Sequence, residues 1–417
     1  MQRRLKFSAA MTAVALLAGC ASDLKRPDAA QTQRDAQIQA AAAWQSALPA
    51  TVPHGGSAAQ LVNWWAQLGD PVFNELMQAA QRESATLAGA LTGIARSRAS
   101  VVRSEQALLP QAQIGVQGSR GVIAPKAPPA TSLSASAQAS WEIDLWGANS
   151  ATLNAAQLTA RGAELGWHEA RVAVAAEMAS NYMAYRFCEQ QLTIVQRDAA
   201  SRAETARLAE LTAKAGLSPT ATAQLARASS FDAANSVSST QAQCDALVKS
   251  LVALSGMEEP VLREKLKANQ VQVGVLSAQN ALFSVANAVT QVPAQMLAQR
   301  PDIAAAQLAV TRSAFEIQTA DAARYPSLSL SGSIGVASNR QLGVSTDGST
   351  WSLGPIALTV PLTQQAAIRS NTQAAIAAYD EAVISLRAKA RQAVREVEES
   401  LVNLNSTQLR ATQAKRR

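Results

Sequence analysis

From Leu133 to Gly147 the chain reads LSASAQASWEIDLWG. Leu133, Ala135, Ala137, Ala139, Trp141, Ile143 and Leu145 alternate with Ser134, Ser136, Gln138, Ser140, Glu142 and Asp144, so an extended strand presents one apolar and one polar face. The run exceeds an ordinary strand of about five or six residues and suits the roughly nine to eleven needed for a tilted strand to cross a bilayer. A first strand precedes it, with Ala112, Ile114 and Val116 alternating with Gln113, Gly115 and Gln117. A Pro/Gly-rich stretch from Gly118 to Ala130 predicts a long hairpin loop between the two. The pattern recurs later: Leu328, Leu330, Ile334 and Val336 stand among Ser327, Ser329, Ser331 and Ser333. A Gly/Asn/Ser loop and a fourth strand, Trp351 to Leu362, follow, and the phase slips at Gly354-Pro355, which predicts a bulge.

Helical pattern fills the intervals. Asp70-Pro71 supplies a cap and a first helical position for a helix expected to run to Leu109 before Pro110. No proline occurs from Ala148 to Ala215; at ~1.5 Å per residue this helix would be roughly 100 Å long. Gly216, Ser218 and Pro219 turn the chain into a return helix that ends near Leu254, before Gly256 and Pro260. Met178, Asn181, Tyr185, Cys188, Leu192 and Val195 on the outgoing arm, and Thr240, Cys244, Leu247, Leu251 and Leu254 on the return, form coiled-coil seams. Cys188 and Cys244 each lie 28 residues from Gly216, so an antiparallel hairpin sets them at one level and predicts a disulfide in an exported protein. A further helix should start at Arg300-Pro301-Asp302 and end at Tyr325-Pro326, and a last one should run from Gln364 onward. Pro110 and Pro326 are 216 residues apart, and each precedes a hairpin and a long helix. The chain is therefore a duplicated unit of helix, β-hairpin and long helix.

Composition agrees with thin sheets and closely approaching helices. Apolar residues make up 48% but aromatic ones only 4%, so bulky groups for a thick core are few. Arg3, Arg4 and Lys6, followed by an apolar run from Ala9 to Ala18, read as an export signal too short to span a membrane. Leu17-Ala18-Gly19-Cys20 resembles the lipobox of bacterial lipoproteins, which makes Cys20 the expected lipidation site; Ala21-Ser22 after it favours the outer membrane. Loss of the signal removes three cations from the formal charge of +7, and nothing else in the chain points to nucleic acid. The expected divisions are a signal peptide at 1–19, a lipid-anchored tether at 20–62, a first repeat at 63–260, a connecting segment at 261–292 and a second repeat at 293–417.

Chemistry is sparse. With only His54 and His168, no Gly-rich phosphate loop and no clustered ligands, no catalytic, cofactor or metal site is expected. Glu142 and Asp144, two apart on the polar face, are read as facing a lumen or solvating the base of a barrel, while Tyr182 and Tyr185 are read as packing residues. A single-chain barrel needs about eight strands or more, and four are found.

Together these residues resemble the outer-membrane factors of multidrug-efflux and secretion systems, the TolC-like family, in its lipoprotein branch. The resemblance rests on Leu17 to Cys20, Trp64-Trp65 with Asp70-Pro71, Trp141-Glu142-Ile143-Asp144-Leu145-Trp146-Gly147, Val292-Pro293 with Arg300-Pro301-Asp302, Tyr325-Pro326-Ser327-Leu328, and Trp351 with Leu353-Gly354-Pro355. It implies an α+β membrane protein: a homotrimer in which each chain gives four strands to one β-barrel, continued by a periplasmic α-helical barrel. It also implies a passive duct in the outer-membrane lipid of a Gram-negative bacterium, joined through a periplasmic membrane-fusion adaptor to an inner-membrane pump of the resistance-nodulation-division (RND) class. The exit duct of a type I secretion system and a non-transporting periplasmic coiled-coil lipoprotein stand as alternatives. Thr363-Gln364-Gln365-Ala366-Ala367 departs from the family's turn after the fourth strand. The family's second helical hairpin has no counterpart to Gly216 and its return arm before Arg417, so the chain reads as C-terminally truncated.

Overall fold

A computed structural model of the chain describes residues 24–38, 70–122, 128–268, 297 and 299–414. Cys20, His54, Trp64, Trp65 and Pro293 lie outside the described residues. Two compact units result, and both draw on each half of the duplication. One holds the described parts of 24–38, 94–164 and 302–392; the other holds those of 70–93, 165–301 and 393–414.

The first unit is built on a four-stranded antiparallel sheet in sequence order: β1 (Gln111–Gly121), β2 (Ala130–Ile143), β3 (Ser327–Gln341) and β4 (Val344–Thr359). Each hairpin pairs within its own half, and β2 pairs with β3 from Ala130↔Gln341 to Ile143↔Leu328, which fuses the halves into one sheet. Gly335 permits that fusion, because a Cβ there would lie 2.7 Å from the Ala135 carbonyl oxygen. The strands extend beyond the alternating apolar runs. β1 continues to Gly121, and the expected Gly/Asn/Ser loop is mostly strand, closed by Leu342 (φ 50°) and Gly343 (φ 84°). Positive φ at both positions matches a tight hairpin turn, and polar residues extend the ladder because pairing, not burial, holds them. The register shifts between Leu330 and Gly332, where Ser331 faces both Gly354 and Pro355, and this is the expected bulge.

Helix α1 (Ala29–Asp35) occupies the stretch read as tether. Asp28 caps it by accepting from the Gln31 amide at 2.6 Å. The segment is docked: Arg26 pairs with Asp321, Gln307 donates to the Ala36 carbonyl at 2.9 Å, and the Tyr379 hydroxyl donates to Asp35 at 2.9 Å. Residues 24–38 of the expected tether are thus held against the first unit.

The second unit packs around one cluster. Helix α2 (Pro71–Glu83) starts at Asp70, which accepts from the amides of Val72 (2.9 Å) and Phe73 (3.1 Å). The helix expected to reach Leu109 breaks at Ser84, whose hydroxyl accepts from Leu87 and starts α3 (Ala85–Ala107). Helix α4 (Ala148–Lys214) runs unbroken for 67 residues. A Schellman turn ends it, with Leu217 donating to Thr212, Gly216 donating to Ala213, and Gly216 at φ +73°. Helix α5 (Thr220–Ser255) returns, and α6 (Glu259–Ala268) follows. A disulfide joins Cys188 to Cys244 with the Cα atoms 5.6 Å apart. Met178, Tyr185, Cys188, Cys244 and Leu251 of the expected seam are buried; Tyr182 and Val248 are fully buried beside them, while Asn181, Leu247 and Leu254 are half-buried. Two more helices complete the described chain, α7 (Pro301–Ala322) and α8 (Gln365–Ala414). No described helix is long and apolar enough to cross a membrane.

Tyr182 is more than a packing residue. Its ring stacks on Phe73 at 4.9 Å, its hydroxyl donates to Asp70, and Arg186, only 6% exposed, donates to the same hydroxyl at 3.0 Å. Arg186 also reaches Glu189 (2.8 Å) and the Leu266 carbonyl (3.1 Å). Burial pushes the Tyr182 phenol up; the Arg186 cation opposes this and the bond to Asp70 adds to it. A raised folded-state value means that the contribution to stability is complete below the ordinary phenol value near 10 and declines as pH rises above it. Tyr182→Phe should cost roughly 1–3 kcal/mol at pH 8 and flatten the alkaline decline, read by denaturant titrations at pH 8 and above pH 10.

Candidate functional site: the amphipathic sheet and its junction with the helices

The pairing register sorts the sheet into two faces. Rows on the first face read Ile143/Leu328/Leu358, Trp141/Leu330/Ile356, Ala112/Ala139/Gly332/Leu353, Ile114/Ala137/Ile334/Trp351 and Val116/Ala135/Val336/Ser349. These apolar groups stand in the open: Ile114 is 82%, Trp351 80% and Leu353 80% exposed. Five rows spaced two residues apart span about 27 Å along the strands, and a tilt of 35–45° makes this a band about 19–22 Å tall, which fits within the ~25 Å apolar belt of an outer-membrane barrel. The opposite face reads Gln113/Gln138/Ser333/Ser352 and Gly115/Ser136/Gly335/Thr350, with Glu142 beside Ser329 at the helical end. Ser333 and Ser352 hydroxyls lie 2.8 Å apart. Among the described residues β1 and β4 pair on one side only, so both outer edges of the sheet are open.

Where strands become helices, the motif residues divide the work. Trp141 donates its indole N–H to the Leu108 carbonyl at 3.0 Å, tying β2 to the end of the preceding helical segment. Glu142 is exposed on the polar face. Asp144 does not join it. The strand ends at Ile143, and Asp144 caps α4, accepting from the Asn149 amide (3.1 Å), the Ser150 amide (2.8 Å) and the Ser150 hydroxyl (2.6 Å). Two-residue spacing sets both carboxylates on one face only while the strand continues, and here it stops between them. Desolvation pushes the Asp144 carboxyl up, but the Ser150 hydroxyl and the amides of Ser150, Asn149 and Ala148 outweigh it and hold the group below its ordinary value.

Trp146 pins the two halves together. Its indole donates to the Pro326 carbonyl at 2.8 Å and stacks on Tyr325 at 4.5 Å, and the Arg324 guanidinium covers the other ring at 4.6 Å. Gly147 turns the chain into α4 at φ +73°, and a Cβ there would come within 3.0 Å of Gln318 Nε2. At the start of α7, Arg300 pairs with Glu396 at 2.9 Å, Pro301 takes the first helical position, and Asp302 accepts from the Ile303 amide at 2.9 Å. These residues form a capping and bracing arrangement of their own. Tyr325 and Arg324 complete the pin, and Tyr325 is signalled in sequence by the Tyr325-Pro326-Ser327-Leu328 motif. No group of three or more His, Cys, Asp or Glu side chains among the described residues could hold a metal ion.

The arrangement has counterparts among known proteins. The family described as "Outer membrane efflux protein" matches residues 76–257 and 292–417. The pyoverdine export outer membrane protein OpmQ of Pseudomonas putida is 25% identical over 367 residues, covering 83% of this chain and 72% of that protein. The toluene efflux pump outer membrane protein TtgF of Pseudomonas putida is 25% identical over 347 residues, covering 82% and 70%. In fold, the chain is similar to the Campylobacter jejuni CmeC outer membrane channel, with a TM-score of 0.72 at 22% identity over 90% of this chain and 78% of that one.

Asp144 carries the strand-to-helix turn, so its loss should be felt. Asp144→Ala should cost about 0.5–2 kcal/mol by denaturant titration, and Asp144→Asn much less, because an amide oxygen still accepts. The cap's contribution is present above the unfolded carboxyl value near 3.9 and is lost as pH falls through the lower folded one.

Proposed function

This chain belongs to the outer membrane efflux protein family, and we propose that three copies of it close into one passive exit duct fed by an inner-membrane pump. It is an outer-membrane efflux channel of a Gram-negative bacterium. The observation that carries the proposal is the sheet: apolar on one face, polar on the other, four strands wide and open at both edges. An open edge in hydrocarbon leaves backbone N–H and C=O groups unsatisfied at several kcal/mol each. Four strands are too few to close, and three copies supply twelve. In that trimer the apolar band meets lipid, the Ser/Gln/Thr face lines the lumen, and the helices descend into the periplasm to meet an adaptor and a pump of the RND class. The duct is passive, and the energy for transport comes from the pump.

A lipid at Cys20 fits the same placement. Arg26 is held to Asp321, four residues before the Tyr325 that packs under the base of the sheet. Six residues span at most ~20 Å, which sets how far from Arg26 an anchor on Cys20 could act.

Adjacent residues on β4 separate lipid from lumen. Leu353→Arg, at the centre of the apolar band, should destabilise membrane insertion by about 2–4 kcal/mol. Ser352→Arg, next to it on the polar face, should insert normally and change only conductance. Heat-resistant trimer yield in outer-membrane fractions and single-channel recording read the two. Equal effects of both substitutions would count against the assignment of faces.

A further inference from the structure

Beyond the apolar band, towards the hairpin turns, the first face changes character. The next row is Gly118/Leu133/Ser338/Asp347, and the one after it is Arg120/Thr131/Arg340/Ser345. Arg120 and Arg340 are both exposed, on the same face, in the same row, with one strand between them. Neighbouring strands lie ~4.8 Å apart, so the two backbone positions are about 10 Å apart. On the opposite face of the four described strands, Glu142 is the one charged residue, and it lies at the helical end. Cations are thus placed on the lipid-facing side, at the end of the band remote from the helices. Asp347 lies one row closer to the band and accepts from the Ser345 hydroxyl at 3.2 and 3.3 Å, so among the described residues the rim carries two cations against one anion in each chain.

We infer that Arg120 and Arg340 form a docking surface for the phosphorylated headgroup of the outer-leaflet glycolipid, a disaccharide carrying a phosphate at each end. The inference rests on the proposed reading that the helices face the periplasm, which sets the hairpin turns and this row at the external surface. An arginine just past the apolar band extends its aliphatic stem along the acyl chains and holds its guanidinium at headgroup level. Planar guanidinium forks bind phosphate oxygens in pairs, and two forks separated by a threonine hydroxyl present donors across the width of a disaccharide rather than to a single phosphate. Three chains give six such arginines around the barrel, facing the leaflet whose headgroups carry the charge. Neither side chain is on the lumen face.

The test uses the full-length protein reconstituted in phosphatidylcholine vesicles with and without diphosphorylated hexa-acyl lipid A. Insertion is read first, from heat-resistant trimers and protease protection. Lipid A retention is then read by native mass spectrometry of the extracted trimer. Retained lipid A and a raised trimer melting temperature are expected for the parent protein. Arg120→Gln with Arg340→Gln should lower retention on the order of tenfold while insertion is unchanged, and Arg120→Lys with Arg340→Lys should recover part of it. Normal insertion with equal retention by the Gln variant overturns the inference and leaves the duct reading intact. Failure to insert in either lipid overturns both.

Discussion

The backbone hydrogen bond in hydrocarbon is the constraint on which this molecule depends. Every amide that enters the membrane must find a partner within protein, and the chain meets the demand in two stages. Within one copy, β2 and β3 pair across their whole length and join two hairpins into a single sheet. Gly335 is part of the same requirement, since only a residue without a Cβ lets the β3 backbone lie so close to the Ala135 carbonyl. The second stage needs other copies, because β1 and β4 each keep one unsatisfied side.

Everything at the base of the sheet keeps those strands in register while the chain changes from period two to period 3.6. Asp144 ends β2 and starts α4 within a few residues, Gly147 supplies the left-handed step, and Trp146 ties that turn to the start of β3 through Pro326 and Tyr325. The motif is therefore a joint rather than a reactive site. Elsewhere a separate cluster around Phe73, Tyr182 and Arg186 gives the helices the packed interior that a chain with so few aromatic residues builds in only a few places.

Much of this was legible in the sequence because membrane strands leave a strict alternating signal. Trp141, Ile143, Leu328 and Leu330 mark the lipid face, and the slip at Gly354-Pro355 marks the bulge. Strand ends were not legible. Beyond Val336 and before Trp351 the residues are mostly polar and do not alternate, and only pairing with a neighbour shows that they remain extended. Ser84 hid a helix break because a serine that caps reads like a serine on an exposed helix face. Asp144 was misplaced for a related reason: periodicity carries a residue onto a face and says nothing about where the strand stops. Tyr182 and Arg186 could not be found from local pattern, since their partner Asp70 lies more than a hundred residues away.

Native mass spectrometry of the protein extracted from outer membranes tests the central claim most directly. Closure of a four-stranded sheet by copies of itself predicts a particle of three chains that falls to single chains only when heat destroys the barrel. A folded, membrane-inserted particle of one chain, or of any number other than three, would contradict it.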